Sequence, residues 1–460
     1  MTTKLISKKI LLVIVISSLF VLTAIVTQAQ NSTNYYNHGV KRFKKGDFSG
    51  AIEYFDKVIE ISLDNASSNS QIKNQKEEDI VLELNKMVVV IPRLAAAYHN
   101  RGLARLRQGE VENAITDFDR SLKIAPRNPE AWMNYGIARE RRGELDEALK
   151  NFTQAITLNS LYTTAIYNRG VIYTAQNKLE KALLDFDRVL VLDPEYLNAY
   201  INRGSLRMDK KDLSGALSDM NRAIKIDSHN AMAWNNRGLI HFQLEKLDVA
   251  LSDFAKAIEL KPNSPAVYCN RSAVYVKKGD TNAALADAAK SIELDPQLAE
   301  GWSNRGIIWH AQGKLEAALE DYERALKLKP THHALWYNRG TIYFEQGKLK
   351  EALKDFNQAI TLNPNIAAQY NNQGNTYFEM KDFKAALAAY DKALSLDPNY
   401  SVSWLNRGLV KIMTWDDKAA EADFTQYRKL EKGPLTELKS RLAEMKKRRE
   451  SENNLTANQN

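Results

Sequence analysis

Carboxylate pairs are the first side chains in this 460-residue sequence that could carry out acid–base chemistry. In the triplets Asp117–Asp119 and Asp185–Asp187, two acids flank a phenylalanine. Two neighbouring carboxylates can act as a general acid and a general base. The same kind of triplet recurs along the chain, however, and a catalytic pair would need only one copy. We therefore interpret these acids as part of a structural repeat and predict that the protein is not an enzyme.

The remaining reactive side chains predict neither a metal site nor a cofactor site. The seven histidines form no His-Glu-x-x-His motif, and the adjacent His332 and His333 are typical of a solvated turn. Cys269 is the single cysteine, which excludes an internal disulfide and a zinc site built from several cysteines. The glycines do not cluster into a phosphate-binding loop. We expect no metal and no cofactor.

The charge of the chain does not indicate a nucleic-acid partner. Lys and Arg number 64 and Asp and Glu 56, a formal charge of +8. The excess lies at the two ends, in Lys4, Lys8 and Lys9 and in residues 428–460. The long middle of the chain is close to neutral and carries no basic stripe. We therefore expect no binding to nucleic acid.

Asparagine is the polar residue that the sequence repeats most regularly. An Asn-Arg-Gly tripeptide recurs along the chain, and its glycines are separated by multiples of one fixed interval of about 34 residues. Gly136, Ser272 and Gly374 fill the gaps, so that ten repeats of this length cover 95–434, and an eleventh is centred on Gly39. When this glycine is counted as position 8, position 6 is asparagine in all eleven repeats: Asn37, Asn100, Asn134, Asn168, Asn202, Asn236, Asn270, Asn304, Asn338, Asn372 and Asn406.

Each repeat is predicted to form two helices, A and B. An aromatic residue at position 4 and the glycine at position 8 lie on one face of helix A. Alanine at position 20 and an aromatic residue at position 24 lie on the apolar face of helix B. Proline at position 32 ends helix B in seven repeats. A pair of short helices cannot bury its apolar faces alone, so the repeats must stack on one another.

This pattern resembles the tetratricopeptide repeat over residues 32–434. The resemblance implies an all-α fold, a right-handed superhelical solenoid of antiparallel helix pairs with a C-terminal capping helix. It also implies a concave groove that binds proteins or peptides. The chain departs from the family at position 7, which is usually Arg instead of Leu. The predicted organisation is a signal peptide or signal anchor at 1–29, a first repeat at 32–63, an insertion at 64–92, ten repeats at 95–434, a capping helix at 435–450 and a disordered tail at 451–460.

The repeated asparagine has two interpretations. Position 6 lies away from the packed face of helix A and toward the groove. A carboxamide both donates and accepts, so a row of asparagines matches the backbone of an extended peptide. Groove asparagines that hold a bound chain are similarly found in sugar-transferase members of the family. The alternative is that each asparagine forms a hydrogen bond that locks one repeat to the next.

The internal copies also predict an ion pair within each repeat. All eight repeats with Arg at position 7 have Asp at position 23, and the three repeats without that Arg lack the Asp. This joint change predicts contact between helix A and helix B. The predicted pairs are Arg101/Asp117, Arg169/Asp185, Arg203/Asp219, Arg237/Asp253, Arg271/Asp287, Arg305/Asp321, Arg339/Asp355 and Arg407/Asp423.

Repeat 7 is predicted to be the weakest repeat. Ser272 replaces its glycine at position 8, and Ala288 replaces its aromatic residue at position 24. A missing core ring removes buried apolar surface from the helix pair.

The N-terminus predicts export. Three lysines precede an apolar stretch at residues 10–26, and small residues before Gln30 provide a cleavage site. The segment is either a cleaved signal peptide or a retained single-pass anchor, and both place the body in the periplasm or cell envelope. We expect a non-enzymatic scaffold that binds proteins or extended peptides in its groove. The alternative is a membrane-anchored structural scaffold that organises an envelope complex.

Overall fold

The structure is a computed structural model that describes residues 27–67, 91–431 and 436–457. These residues are helical apart from short turns and contain no strand. The segment predicted as a targeting signal therefore lies outside the described residues up to position 26, and so does the insertion between 68 and 90. The helices fall into two compact units, Met1–Ser228 and His229–Asn460.

The first unit contains repeats 1–5. In each repeat helix A packs against helix B, and helix B of repeats 2–4 packs against helix A of the next repeat. The A helices are residues 27–44, Ile91–Gln108, Pro129–Arg141, Thr163–Ala175 and Leu197–Asp209. The B helices are Phe48–Ser67, Val111–Ile124, Leu145–Leu158, Leu179–Leu192 and Leu213–Ile226.

The second unit contains repeats 6–11 and a terminal helix, with the same packing order. Its A helices are Ala231–Gln243, Pro265–Lys278, Ala299–Ala311, His333–Glu345, Ala367–Glu379 and Ser401–Met413. Its B helices are Leu247–Leu260, Thr281–Leu294, Leu315–Leu328, Leu349–Leu362, Phe383–Leu396 and Asp417–Leu430. The terminal helix is Thr436–Ala457. The predicted all-α array of helix pairs is confirmed.

Helix A ends one or two residues before position 15 in every repeat, because the residue at position 15 adopts a left-handed conformation. Six repeats place glycine there, and five place another residue: Asn177, Lys211, Glu245, Lys381 and Trp415, with φ between 56° and 65°. The N–H of the next residue donates to the carbonyl of position 11, as Glu110 does to Arg105 at 2.9 Å. This hydrogen bond reverses the chain within two residues, so helix B runs antiparallel to helix A.

Close contact between the two helices depends on small residues. The alanine at position 20 is completely buried in all eleven repeats. In nine repeats the glycine at position 8 faces an aromatic ring at position 24, and a Cβ on Gly136 would lie 2.6 Å from the Phe152 ring. Any larger residue at position 8 would therefore collide with the ring. Repeat 7 accepts Ser272 because Ala288 offers no ring, and the Ser272 hydroxyl donates to the Ala284 carbonyl at 2.8 Å.

Three predicted boundaries differ from the structure. Helix B of repeat 1 extends to Ser67, and helix A of repeat 2 begins at Ile91, so both ends of the predicted insertion are helical. The terminal helix continues to Ala457 and so includes residues 451–457 of the predicted tail. These polar residues contain no helix-breaking glycine or proline.

The terminal helix covers the end of repeat 11. Leu438 and Met445 pack on Leu405 and Leu409. Arg449 is buried, lies 3.9 Å from the centre of the Trp415 ring and donates to Asp417 at 2.6 Å. The terminal helix thus packs mainly on helix A of repeat 11.

Candidate functional site

The eleven predicted asparagines lie on the A helices at position 6. All but Asn37 are half-buried or buried in the first and second units, with Asn134 and Asn406 fully buried. In seven repeats the side-chain nitrogen donates to position 5 of the preceding repeat, at 2.9 to 3.3 Å. These seven are Asn100, Asn134, Asn202, Asn270, Asn304, Asn372 and Asn406.

The acceptor of this hydrogen bond varies from joint to joint. It is a tyrosine hydroxyl for Asn202, which donates to Tyr167 at 2.9 Å, and a backbone carbonyl for Asn304, which donates to Cys269 at 2.9 Å. Burial raises the pKa of Tyr167, while the Asn202 hydrogen bond opposes that shift. The donor half of the carboxamide therefore joins consecutive A helices, as the second interpretation of the sequence expects.

The side-chain oxygen of these asparagines accepts a hydrogen bond less often than the side-chain nitrogen donates one. Within the described residues, no donor contacts Oδ1 of Asn202, Asn270 or Asn304. Oδ1 of Asn406 accepts from Arg441 of the terminal helix at 3.0 Å. The Asn168 side chain forms no hydrogen bond in the described part of the chain, since the apolar Met133 stands at position 5 of the repeat before it.

Three other asparagines have different surroundings. Asn37 is exposed in repeat 1, which has no repeat before it. The Asn338 side chain hydrogen-bonds to the Tyr322 hydroxyl of the preceding repeat, and burial raises the pKa of Tyr322. Oδ1 of Asn236 accepts from its neighbour Asn235 at 3.1 Å. The structure therefore places all eleven in a similar register, without giving them identical partners.

The predicted ion pairs are present in all eight repeats. Each guanidinium donates from Nε and Nη2 to the two carboxylate oxygens of its own repeat, at 2.5 to 3.0 Å. The aspartates are buried, and the arginines are mostly half-buried. This bidentate geometry is the strongest arrangement of the two groups. The prediction from the internal copies is confirmed.

The same arginines make contacts that the sequence did not reveal. Nη1 of Arg203 donates to Asp187 of the preceding repeat at 2.7 Å, and Arg407 donates to Asp391 in the same way. These acids occupy position 25, which is the place of the second acid in the Asp-Phe-Asp triplets. The guanidinium also lies near the aromatic ring at position 4, at 4.4 Å for Arg237 on Trp234. The second acid of the 185–187 triplet therefore has a structural role.

A small cleft of about 210 Å³ opens on the A helices of repeats 8 and 9. Ser303 stands there at position 5, where other repeats carry larger side chains such as Tyr337. Glu300 and Lys329 form an ion pair at the cleft, and Asn304 lines it with His332. The cleft thus combines a charged pair with hydrogen-bonding groups beside the asparagines at position 6, which we call the asparagine row.

The other candidate residues are a histidine pair and a buried cysteine. His332 and His333 stack at 5.8 Å, and no group of three or more metal-binding side chains occurs among the described residues. Cys269 is buried, and burial raises the pKa of its thiol to about 12. No helix in the described ranges is both long enough and apolar enough to span a membrane.

Sequence families and solved structures agree on the class of this helical repeat. Tetratricopeptide repeat models match nine segments, which together cover more than half of the chain. The chain therefore belongs to the tetratricopeptide repeat family. The matched segments are residues 32–65, 99–160, 164–196, 197–230, 231–264, 265–298, 299–332, 333–366 and 367–400.

Solved structures match the chain at low sequence identity. The APC/C hetero-tetramer Cut9–Hcn1 matches with a TM-score of 0.52 and 15% identity, over 94% of this chain and 92% of that one. A tetratricopeptide repeat protein from Parabacteroides merdae matches with a TM-score of 0.46 and 24% identity, over 57% of this chain and 98% of that one. None of the curated proteins compared with the chain gave a match.

Proposed function

We propose that this protein is a non-enzymatic scaffold that binds extended segments of other proteins along its A helices. The observation that supports this most directly is that several asparagines of the row use only the donor half of the carboxamide. Asn202, Asn270 and Asn304 each donate to the preceding repeat and retain a carboxamide oxygen without a donor in the described residues. An extended peptide presents backbone N–H groups that such oxygens can accept, whatever its sequence.

Specificity would come from the variable positions beside the row. The cleft at Ser303 is the clearest example, because it can receive a side chain next to the Glu300–Lys329 pair. A peptide that lies along the row would place one side chain at this level. Polar groups buried at such a contact favour a ligand that satisfies them.

A matched pair of asparagines tests the proposal. The Asn168 side chain forms no hydrogen bond in the described part of the chain, whereas the Asn202 side chain donates to Tyr167. The probe is a peptide selected by display against the full chain, with its affinity measured by calorimetry. We expect both Asn168→Ala and Asn202→Ala to weaken binding at least about three-fold, and only Asn202→Ala to lower the melting temperature. If neither variant changes affinity, the row is structural and the proposal fails.

Export is part of the same proposal and rests on the sequence of residues 1–29. A basic start, an apolar stretch and a small-residue cleavage site support it. Cell fractionation and the intact mass of the protein from its native cells test it. A soluble form that begins near Gln30 would support an exported binding protein, and a membrane-bound form of full mass would support an anchored scaffold. Full-length protein found only in the cytosol would contradict export.

A further inference from the structure

The outer face of helix B carries one apolar interruption. Positions 22, 29 and 33 are exposed in every repeat where the structure describes them. These positions hold polar residues, alanine or glycine everywhere except at the junction of repeats 3 and 4. There the three positions are Leu184 and Val191 of repeat 4 and Leu161 at the end of repeat 3, which are 68%, 80% and 66% exposed. Ten other copies of each position show that this fold does not require an aliphatic residue at any of them.

These three side chains lie close together in the first unit. Leu184 and Val191 are seven residues apart and share one face of helix B. Arg188 lies between them and donates to the carbonyl of Ser160, the residue before Leu161. Together Leu161, Leu184 and Val191 form a protruding apolar patch, which we call the apolar crest.

The outward positions of helix B near the crest carry mostly basic residues. Across repeats 2–5, positions 22, 26, 29 and 33 carry seven basic residues and a single acid, Glu195. Two of the bases pair with acids of their own helices. Arg188 and Arg222 donate to backbone carbonyls and therefore keep their net charge. The seven are Arg120, Lys123, Arg127, Lys150, Arg188, Arg222 and Lys225.

We propose that the apolar crest and these basic residues form a docking surface for an anionic lipid membrane. Aliphatic side chains that protrude from a helix and are ringed by Lys and Arg can enter the headgroup region while the cations attract acidic lipids. The exposure of Val191 shows that it stands clear of its neighbours. The surface lies on the B helices and does not depend on the peptide-binding function proposed above.

Vesicle flotation tests this surface. All proteins are full chains that carry Leu12→Glu, Ile16→Glu and Phe20→Glu, so that the predicted targeting segment cannot insert. Two kinds of vesicle serve as probes. One contains phosphatidylcholine with the anionic lipid phosphatidylglycerol, and the other contains phosphatidylcholine alone. We expect binding to the anionic vesicles that weakens with salt. Leu184→Ser with Val191→Thr should reduce the partition coefficient at least about ten-fold.

Two controls make the outcome specific. Val249 is an exposed aliphatic residue of repeat 6, and Val249→Ser should leave binding unchanged. Arg222→Gln with Lys225→Gln should also weaken binding about ten-fold without touching the crest. Circular dichroism verifies that each variant folds. Equal binding to the two kinds of vesicle, or no loss in the crest variant, would overturn the proposal. So would a crest variant that only dissociates a dimer or loses an acidic protein partner.

Discussion

The ion pair of repeat 8 offers a sharp test of how these repeats are held together. Arg305 and Asp321 share two hydrogen bonds of 2.8 Å each. The side chain of Asp321 is only 4% exposed and that of Arg305 is 26% exposed. The hydrogen bond with Asp321 raises the pKa of Arg305, although burial acts in the opposite direction. Unlike Asp117, which also accepts from Arg105, Asp321 has no second basic partner in the described residues.

This asymmetry of burial predicts unequal effects of the two single substitutions. Arg305→Gln leaves a buried carboxylate without its counter-ion, which costs about 3–5 kcal/mol. Asp321→Ala leaves an arginine that can turn toward solvent, so its cost is closer to that of the lost charged hydrogen bonds, about 1.5–3 kcal/mol. The double variant removes both charges. At positions 7 and 23 the double variant then has the same residues as repeat 10, where Gln373 and Ala389 occur naturally.

The double-mutant cycle gives the interaction free energy directly. We expect the double variant to be more stable than Arg305→Gln alone and the coupling to reach at least ~2 kcal/mol. A repeat array need not unfold in one step, so urea unfolding followed by circular dichroism is combined with hydrogen exchange of residues 299–332. The exposed pair Lys290–Glu293 is the control, and its coupling should stay below ~1 kcal/mol. A coupling in repeat 8 no larger than the control would refute the reasoning.

Three further predictions concern the stability of single repeats. Lys381→Gly should raise the melting temperature and Gly313→Ala should lower it, because both positions are left-handed and the conformation costs about 1–2 kcal/mol for a residue with a Cβ; equal effects of the two would contradict this. The Cys269 thiol should react slowly with a thiol reagent in native protein. The double variant Ala288→Phe with Ser272→Gly should slow this reaction further, because it restores the core ring and the glycine that the ring packs against. Unchanged kinetics would show that repeat 7 is not the weak repeat. Burial lowers the pKa of His99 below its ordinary 6.5, so the contribution of neutral His99 to stability is complete above pH 6.5 and is lost as the pH falls below that value. Between pH 7.5 and 5.5, the melting temperature of His99→Gln should therefore fall less than that of the unmodified protein. An identical fall in both proteins would exclude His99 as the cause.

The repeat itself made most of the fold predictable. One fixed period, kept over ten consecutive repeats, placed the helix pairs and the positions of their core residues. The ion pairs could be predicted as contacts because eight copies within one chain keep Arg and Asp together. Their second partner at position 25 could not, because that acid is absent from most repeats and its distance depends on how consecutive B helices are stacked.

The candidate site was less predictable for a related reason. A helical wheel places position 6 away from the core of its own repeat, but it contains no information about the next A helix. The side chain of Asn202 points along the row of helices to Tyr167, which a single-helix argument cannot show. Left-handed turns at Lys211 and Glu245 were also hidden, because neither residue type favours that conformation. The crest at Leu184 became visible only once exposure was known for the equivalent positions of other repeats.

The hydrogen bond between consecutive A helices has a consequence for how such a chain can change during evolution. Its donor is always an asparagine amide, but its acceptor is a hydroxyl at Tyr167, an imidazole nitrogen at His99, a carboxamide at Asn235 or a main-chain carbonyl at Cys269. A joint that fixes one partner and tolerates several chemistries in the other does not require matched substitutions on its two sides. A coding segment for one repeat can then be duplicated, deleted or exchanged within the gene, and the new neighbours still join wherever position 5 offers an acceptor, which Met133 does not. The repeats are in this sense interchangeable modules, and the length of the array is free to vary while the joint is retained.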